Sequence, residues 1–342
     1  MKAKYWKYRR ITMIISASLF FTSCAWNWVD NQKINGVSFV APPRFITLEA
    51  MKPVEKVNAD WVAITPYAFS RGNSPEIVHG NNHQWWGEGK DGTIVQIKYA
   101  QTLGLKIMLK PHVWVHGQGW AGDFTLDNNE QWDDWGDSYS QYISTYAKVA
   151  DSLDVEMLCI GTEYRKAATL RPDIWGKLIV DVRKIYGGKI VYAANWDNYE
   201  NITFWDQLDY IGIDAYFPLS EQKTPDLEHL NAKWTGIKSD IQQFSDKWNK
   251  PIIFTEFGYR SIDYATDGHW KYDQDTLTVN LENQAVAYQS LFHTFWKEPW
   301  FHGGFLWKWH AHHDAIDGSK DKQFTPQNKP VQKTITDWYG RF

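Results

Sequence analysis

The chain has 342 residues, 21 of them Trp, with 22% charged residues and a formal net charge of −4. That length suits either two average domains or one large barrel. The acidic balance, which deepens to −9 if the five basic residues within 1–23 are removed, argues against a nucleic-acid partner, and two cysteines, Cys24 and Cys159, leave no disulfide framework.

The chain opens on the basic stretch MKAKYWKYRR, then the apolar ITMIISASLFF, too short to span a bilayer as a mature helix, and then TSC. This is the pattern of an export signal. Small residues ending on Cys24 look like a bacterial lipoprotein processing site that makes Cys24 the acylated first residue; plain secretion and a retained anchor are the alternatives. Residues 1–23 are therefore expected to be removed and 24–33 to act as a tether. Residues 34–342 would form the folded domain, an exported lipoprotein at the periplasmic or cell-surface side of a membrane. Cys159, inside the apolar run VEMLCIG, reads as a small core residue.

Eight strand-like runs follow: INGVSFVAP, ADWVAITPYAF, LKIMLKPHVWV, VEMLCIGTEY, KIVYAANW, LDYIGIDAYFPL, KPIIFTEFGY and FHGGFLWKWH. Most are continuously apolar, as parallel strands covered on both faces are. Between them GTIVQIKYAQTLG, DSYSQYISTYAKVADSL, RPDIWGKLIVDVRKIYGG, LEHLNAKWTGIKSDIQQFSDKW and LENQAVAYQSLFHTFWKEP repeat apolar residues at three- and four-residue intervals, which predicts helices; LEAMKPVEKVNA, before the second strand, is weaker. Strands and helices in alternation, with no linker or repeat, predict an α/β fold, a single (β/α)8 TIM barrel.

In such barrels the chemistry sits at the C-terminal ends of the strands. His112 ends the third run, Glu163 the fourth, Asn195 the fifth, Asp214 and Tyr216 the sixth, Glu256 the seventh, and Trp307 to His310 the eighth. Trp85 and Trp86 in NNHQWWGEGKDG, with Trp114 and Trp120 in HVWVHGQGW, lie among Gly, Asn and His. Flat aromatic faces interleaved with amides and imidazoles suit a polyhydroxylated ligand, because sugar rings present C–H faces to stack and rim hydroxyls to bond. General packing explains others of the tryptophans.

The motifs IGTEY, DAYFPL and TEFGYRS together resemble glycoside hydrolase family 113, the TIM-barrel β-mannanases, within the large clan of retaining (β/α)8 glycosidases. A retaining glycosidase needs two carboxyl groups about 5–5.5 Å apart, one as nucleophile and one as acid then base. The resemblance implies Glu163 as acid/base, Glu256 as nucleophile and Tyr216 as the phenol that orients the nucleophile. It also implies Trp307 as the platform under the sugar at the cleaved bond, and a β-1,4-mannan or manno-oligosaccharide substrate. The clan usually places Asn before the first glutamate, where it bonds the sugar 2-hydroxyl; here that residue is Thr162, and Asn195 or His112 could take over.

Other contacts are expected from position. Trp309 alternates onto the side of Trp307, Asp214 fixes either a neighbour or a sugar hydroxyl, and Arg165, Arg260 and Tyr259 lie just beyond the glutamates as rim contacts. The long polar loop after the second strand offers Asn82, His83, Trp85 and Trp86 as a subsite wall. A metal-dependent hydrolase is the rival enzyme class, since HAHHD carries His310, His312, His313 and Asp314, but the first strand ends SFVAPPR without a ligand. A sugar-binding lipoprotein without chemistry is the non-enzyme rival. No cofactor is expected, and a monomer is.

Overall fold

The computed structural model describes residues 33–81, 83–117, 120–268, 270–271 and 276–342. Eight parallel strands close into a barrel in chain order: β1 (Ile34–Phe39), β2 (Trp61–Ile64), β3 (Lys106–Leu109), β4 (Met157–Thr162), β5 (Lys189–Asn195), β6 (Ile211–Asp214), β7 (Ile252–Phe257) and β8 (Phe301–Trp309). Around them run α1 (Lys90–Thr102), α2 (Asn129–Ser152), α3 (Arg165–Leu170), α4 (Pro172–Ile185), α5 (Leu227–Trp248), α6 (Leu281–Phe295) and α7 (Pro330–Tyr339). The expected single (β/α)8 barrel is what the chain forms. Two crossovers depart from regularity: short 3-10 turns at Leu48–Ala50 and Lys52–Val57 link β1 to β2, and others at Tyr199–Asn201 and Trp205–Gln207 link β5 to β6.

Helix starts follow local chemistry. Asn128, Asp226 and Asn280 each accept a hydrogen bond from the amide three residues on, at 2.9, 2.8 and 3.0 Å, and so satisfy a donor that the first turn leaves unpaired. Tryptophans supply much of the packing between helices and barrel: Trp135, Trp175, Trp205, Trp234 and Trp296 are fully buried.

The second and third runs break where the sequence reading kept them whole. Each reaches a proline, Pro66 or Pro111, which has no N–H to give the barrel ladder, and the chain leaves the barrel there. Tyr67–Arg71 and His112–His116 then pair with each other as a separate parallel ribbon above β2 and β3. His112 therefore starts this ribbon rather than ending the third barrel strand.

The barrel interior is filled by Ile34, Ala63, Met108, Met157, Cys159, Val191, Ala193, Ile253 and Phe305. Simple alternation fails near the C-terminal ends of three strands. In β7 both Phe254 and Phe257 pack in the outer core, so Thr255 and Glu256 between them turn inward together; the register against β6 slips by one residue at the same place. In β8 Leu306 and Trp309 lie in the outer core, leaving Trp307 and Lys308 on the cleft side, again at a register shift. A third shift lies between Cys159 and Thr162 in β4. One extra residue in a strand re-aims the side chains beyond it.

Candidate active site

The floor of the barrel mouth is charged. Lys110, at the end of β3, is fully buried, and its ammonium lies 2.5 Å from Glu256 Oε1 and 3.1 Å from Asp214 Oδ1. Burial alone would lower its pKa, but the charges of Asp214 and Glu256 more than reverse this and raise it. Asp214 also accepts from the Thr255 hydroxyl at 2.7 Å. Burial and then the Glu256 charge raise the Asp214 carboxyl, with Lys110 and Thr255 pulling it back.

Glu256 has both oxygens occupied. Oε1 takes the Lys110 ammonium, and Oε2 accepts from the Tyr216 hydroxyl at 2.7 Å. The His112 ring stands 3.8 Å from Oε1 at its Nε2 and stacks on Trp307 at 6.1 Å between centroids. Burial, then the Lys110 charge, pulls the His112 pKa well below its usual value, so the ring is neutral.

Glu163 faces the same cleft one residue beyond β4, at a left-handed backbone angle of φ 53°. Its amide donates to the Ala193 carbonyl at 2.8 Å, and its Oε2 accepts from the Trp120 indole at 2.6 Å. Burial, followed by the charges of Asp214 and Glu256, pushes its carboxyl up to about 8, against the pull of Trp120 and Lys110. Arg165 stacks on Trp120 at 4.7 Å and is held by Asp123 at 2.8 Å and Asp197 at 3.2 Å, which fixes the indole that reaches Glu163. Asn195 donates to Asp197 at 2.8 Å and borders the cleft beside it.

Glu163 and Glu256 thus line one lobe of about 760 Å³, walled by Trp120, Trp307 and the stacked pair Trp196 and Trp270. A second lobe of about 750 Å³ adjoins it and shares Tyr67, Trp114 and Trp307. His83 and Trp85, from the loop after β2, line the second lobe.

Several expected contacts are corrected. Trp309 is fully buried and stacks on His313 at 5.4 Å, because the shift in β8 turns it to the helix side. Trp86 packs edge-on against Phe45 at 5.2 Å and against the outer core, away from both lobes. Tyr259 and Arg260 are buried: Tyr259 meets Tyr288 edge-on, and Arg260 donates to the Lys322 carbonyl at 3.1 Å. Both follow the inward turn of the chain after β7, so neither reaches the rim. Of the two roles open to Asp214, the structure shows contact with neighbours rather than with ligand space: it lies fully buried beneath the cleft, bonded to Lys110 and Thr255. Asn82 and Cys24 lie outside the described residues. Among the described residues no three His, Cys, Asp or Glu side chains gather as a metal ion would need.

Lys110 was missed as a site residue, and Trp120, read as an aromatic face suited to a sugar, was not read as the partner of Glu163. A lysine closing the apolar run LKIML was the available signal for the first, since inward alternation from Met108 aims it into the barrel. Nothing in the sequence places the Trp120 loop over β4.

The family model for glycoside hydrolase family 113 matches residues 45–329. Solved structures of similar fold include a complex of a family 113 β-1,4-mannanase, 26% identical over 91% of this chain and 100% of that one, with TM-score 0.80. Another is the family 113 β-mannanase of Alicyclobacillus acidocaldarius in complex with ManMIm, 25% identical over 91% and 98%, with TM-score 0.79. A β-glucuronidase from Ruminococcus gnavus shares the fold alone, at 11% identity and TM-score 0.61 over 90% of this chain and 50% of that one. A comparison with the curated proteins finds no match. With most of its length matched, this chain belongs to glycoside hydrolase family 113.

Proposed function

We propose that the protein cleaves β-1,4-mannosidic bonds by a retaining double displacement, with Glu163 as acid/base and Glu256 as nucleophile. The observation that carries this reading is the unequal treatment of two carboxyls in one cleft. Glu163 is pushed up to about 8 and so keeps a proton near neutral pH, whereas Glu256 accepts from an ammonium and a phenol. Glu163 donates its proton to the glycosidic oxygen as Glu256 Oε1 or Oε2 attacks the anomeric carbon and the C–O bond to the leaving sugar breaks. Water, deprotonated by the now ionised Glu163, then displaces Glu256 and releases the sugar with its original configuration. Lys110 and Tyr216 hold the nucleophile through both steps. The mannan assignment is supported by the family 113 β-mannanases to which the chain is similar.

From the signal pattern and Cys24 we further propose an exported, lipid-anchored monomer that acts on oligosaccharides at the periplasmic or cell-surface side. The test of function is product analysis with β-1,4-mannan, glucomannan, xylan, cellulose and manno-oligosaccharides, beside Glu163→Gln and Glu256→Gln. Mannose oligomers formed by the parent and lost in both variants, with kcat down about 10³-fold or more, support the reading. Cleavage of xylan or cellulose alone discards the mannan assignment, and no cleavage at all leaves a binding protein.

A further inference from the structure

Among the described residues the buried lysines, Lys33, Lys110 and Lys329, all have partners, and the half-buried Lys308 contrasts with them. Lys33 donates to the carbonyls of Glu298 and Phe301, Lys110 to Asp214 and Glu256, and Lys329 to Asp321, Ser261 and Gln323. Lys308 makes no ion pair or hydrogen bond with any described residue, and its ammonium only hovers 5.7 Å from the Trp307 ring. Burial lowers its pKa, with the more distant Glu256 and Asp321 opposing and Arg260 adding to the effect. A half-buried charge with no counter-ion is costly, and the bulge in β8 puts it there when plain alternation would have sent it outward.

The lobe that Lys308 lines also matters. Trp85 and Trp114, about half exposed at 50% and 53%, offer stacking faces, and His83, His116, His310 and His312 line its polar side. Its one lining carboxylate, Glu88, is turned onto the Trp85 amide at 2.8 Å. Both glutamates line the lobe with Trp120, Trp196 and Trp270, and with Glu163 as acid the leaving sugar is placed on its Trp120 side, away from the Trp307 that borders the Lys308 lobe. The Lys308 lobe is then on the non-reducing side of the cleaved bond.

We propose that this lobe takes a sugar bearing a uronate-type carboxylate, with the Lys308 ammonium as its counter-ion, so that the preferred substrate is an acidic rather than a neutral β-glycan. This rests on the hydrolase reading above and adds the charge of the glycan to it. A carboxylate would give Lys308 the charge-assisted bond that the protein withholds.

The experiment is calorimetric titration of the Glu163→Gln protein with manno-oligosaccharides of one length, neutral or oxidised to the carboxylate at C6 of the rings at the non-reducing end. Tighter binding of the oxidised ligand by about tenfold, weakening with added salt, is expected. Lys308→Met should erase that preference and Lys308→Arg keep it; melting curves of all three check folding. Equal or weaker binding of the oxidised ligand overturns the proposal, as does a preference that survives in Lys308→Met. Turnover of the neutral ligand by the protein with Glu163 intact separates the cases. Cleavage without a charge preference sinks this inference alone, whereas failure of both ligands to bind or be cleaved sinks the mannanase reading with it.

Discussion

Trp120 shows how one side chain can set the working pH of another. Its indole N–H can only donate, so its 2.6 Å bond to Glu163 favours the ionised carboxylate and opposes the burial that keeps the proton on. In Trp120→Phe the donor is gone and Glu163 should hold its proton to higher pH. We expect the alkaline limb of kcat/KM to move upward by about one pH unit, the equivalent of one hydrogen bond to a charged group. An unmoved limb with lowered kcat/KM would reduce Trp120 to a wall of the cleft. Residues of this kind divide by how far their meaning depends on closure. Glu163, Glu256 and Tyr216 could be read as strand-end groups because each ends its own apolar run. Lys110 also closes an apolar run, but its role was not legible, because its partners lie 104 and 146 positions away and meet it only when the barrel closes.

At the scale of strands, the barrel was legible and its irregularities were not. Continuous apolar runs announce parallel strands, and all eight were readable in order. A bulge leaves little mark in hydrophobicity: Leu-Trp-Lys-Trp in β8 looks alternating, and Phe-Thr-Glu-Phe in β7 sets two polar residues side by side in an apolar run, yet each folds with two neighbours turned the same way. That is why Trp309 was misread as a cleft residue, while Glu256 and Lys308 reach the mouth. Close approach of backbones elsewhere leaves no such freedom. At Gly212 in β6 an added Cβ would stand 2.3 Å from the Tyr192 carbonyl and 2.9 Å from Thr255 Cγ2, the residue that holds Asp214. Gly212→Ala should therefore lower stability by about 1–3 kcal/mol, read as an earlier midpoint in denaturant. It should also reduce kcat, because the strain falls on the Asp214–Thr255 contact under the site. An unchanged midpoint would mean that β5 and β6 separate more easily than their ladder implies.

For the whole molecule, the site is a concentration of like charge that the rest of the fold has to hold. Glu163, Asp214 and Glu256 meet at one barrel mouth with Lys110 as the cation among them, and the surrounding tryptophans and tyrosines bring desolvation rather than counter-charge. The consequence can be measured as stability against pH. Glu163 is raised from 4.5 to about 8, so between those values the native state holds a proton that the unfolded chain releases. Stability from this group is then present at low pH and lost as pH rises through that window. Glu163→Gln removes the titration. Denaturant midpoints of the variant should exceed those of the parent at pH 8, with the gap closing as pH falls toward 4.5. Parallel curves for the two proteins across that window would show that Glu163 is not held protonated by the fold. The acid role assigned to it would then need another source for its proton.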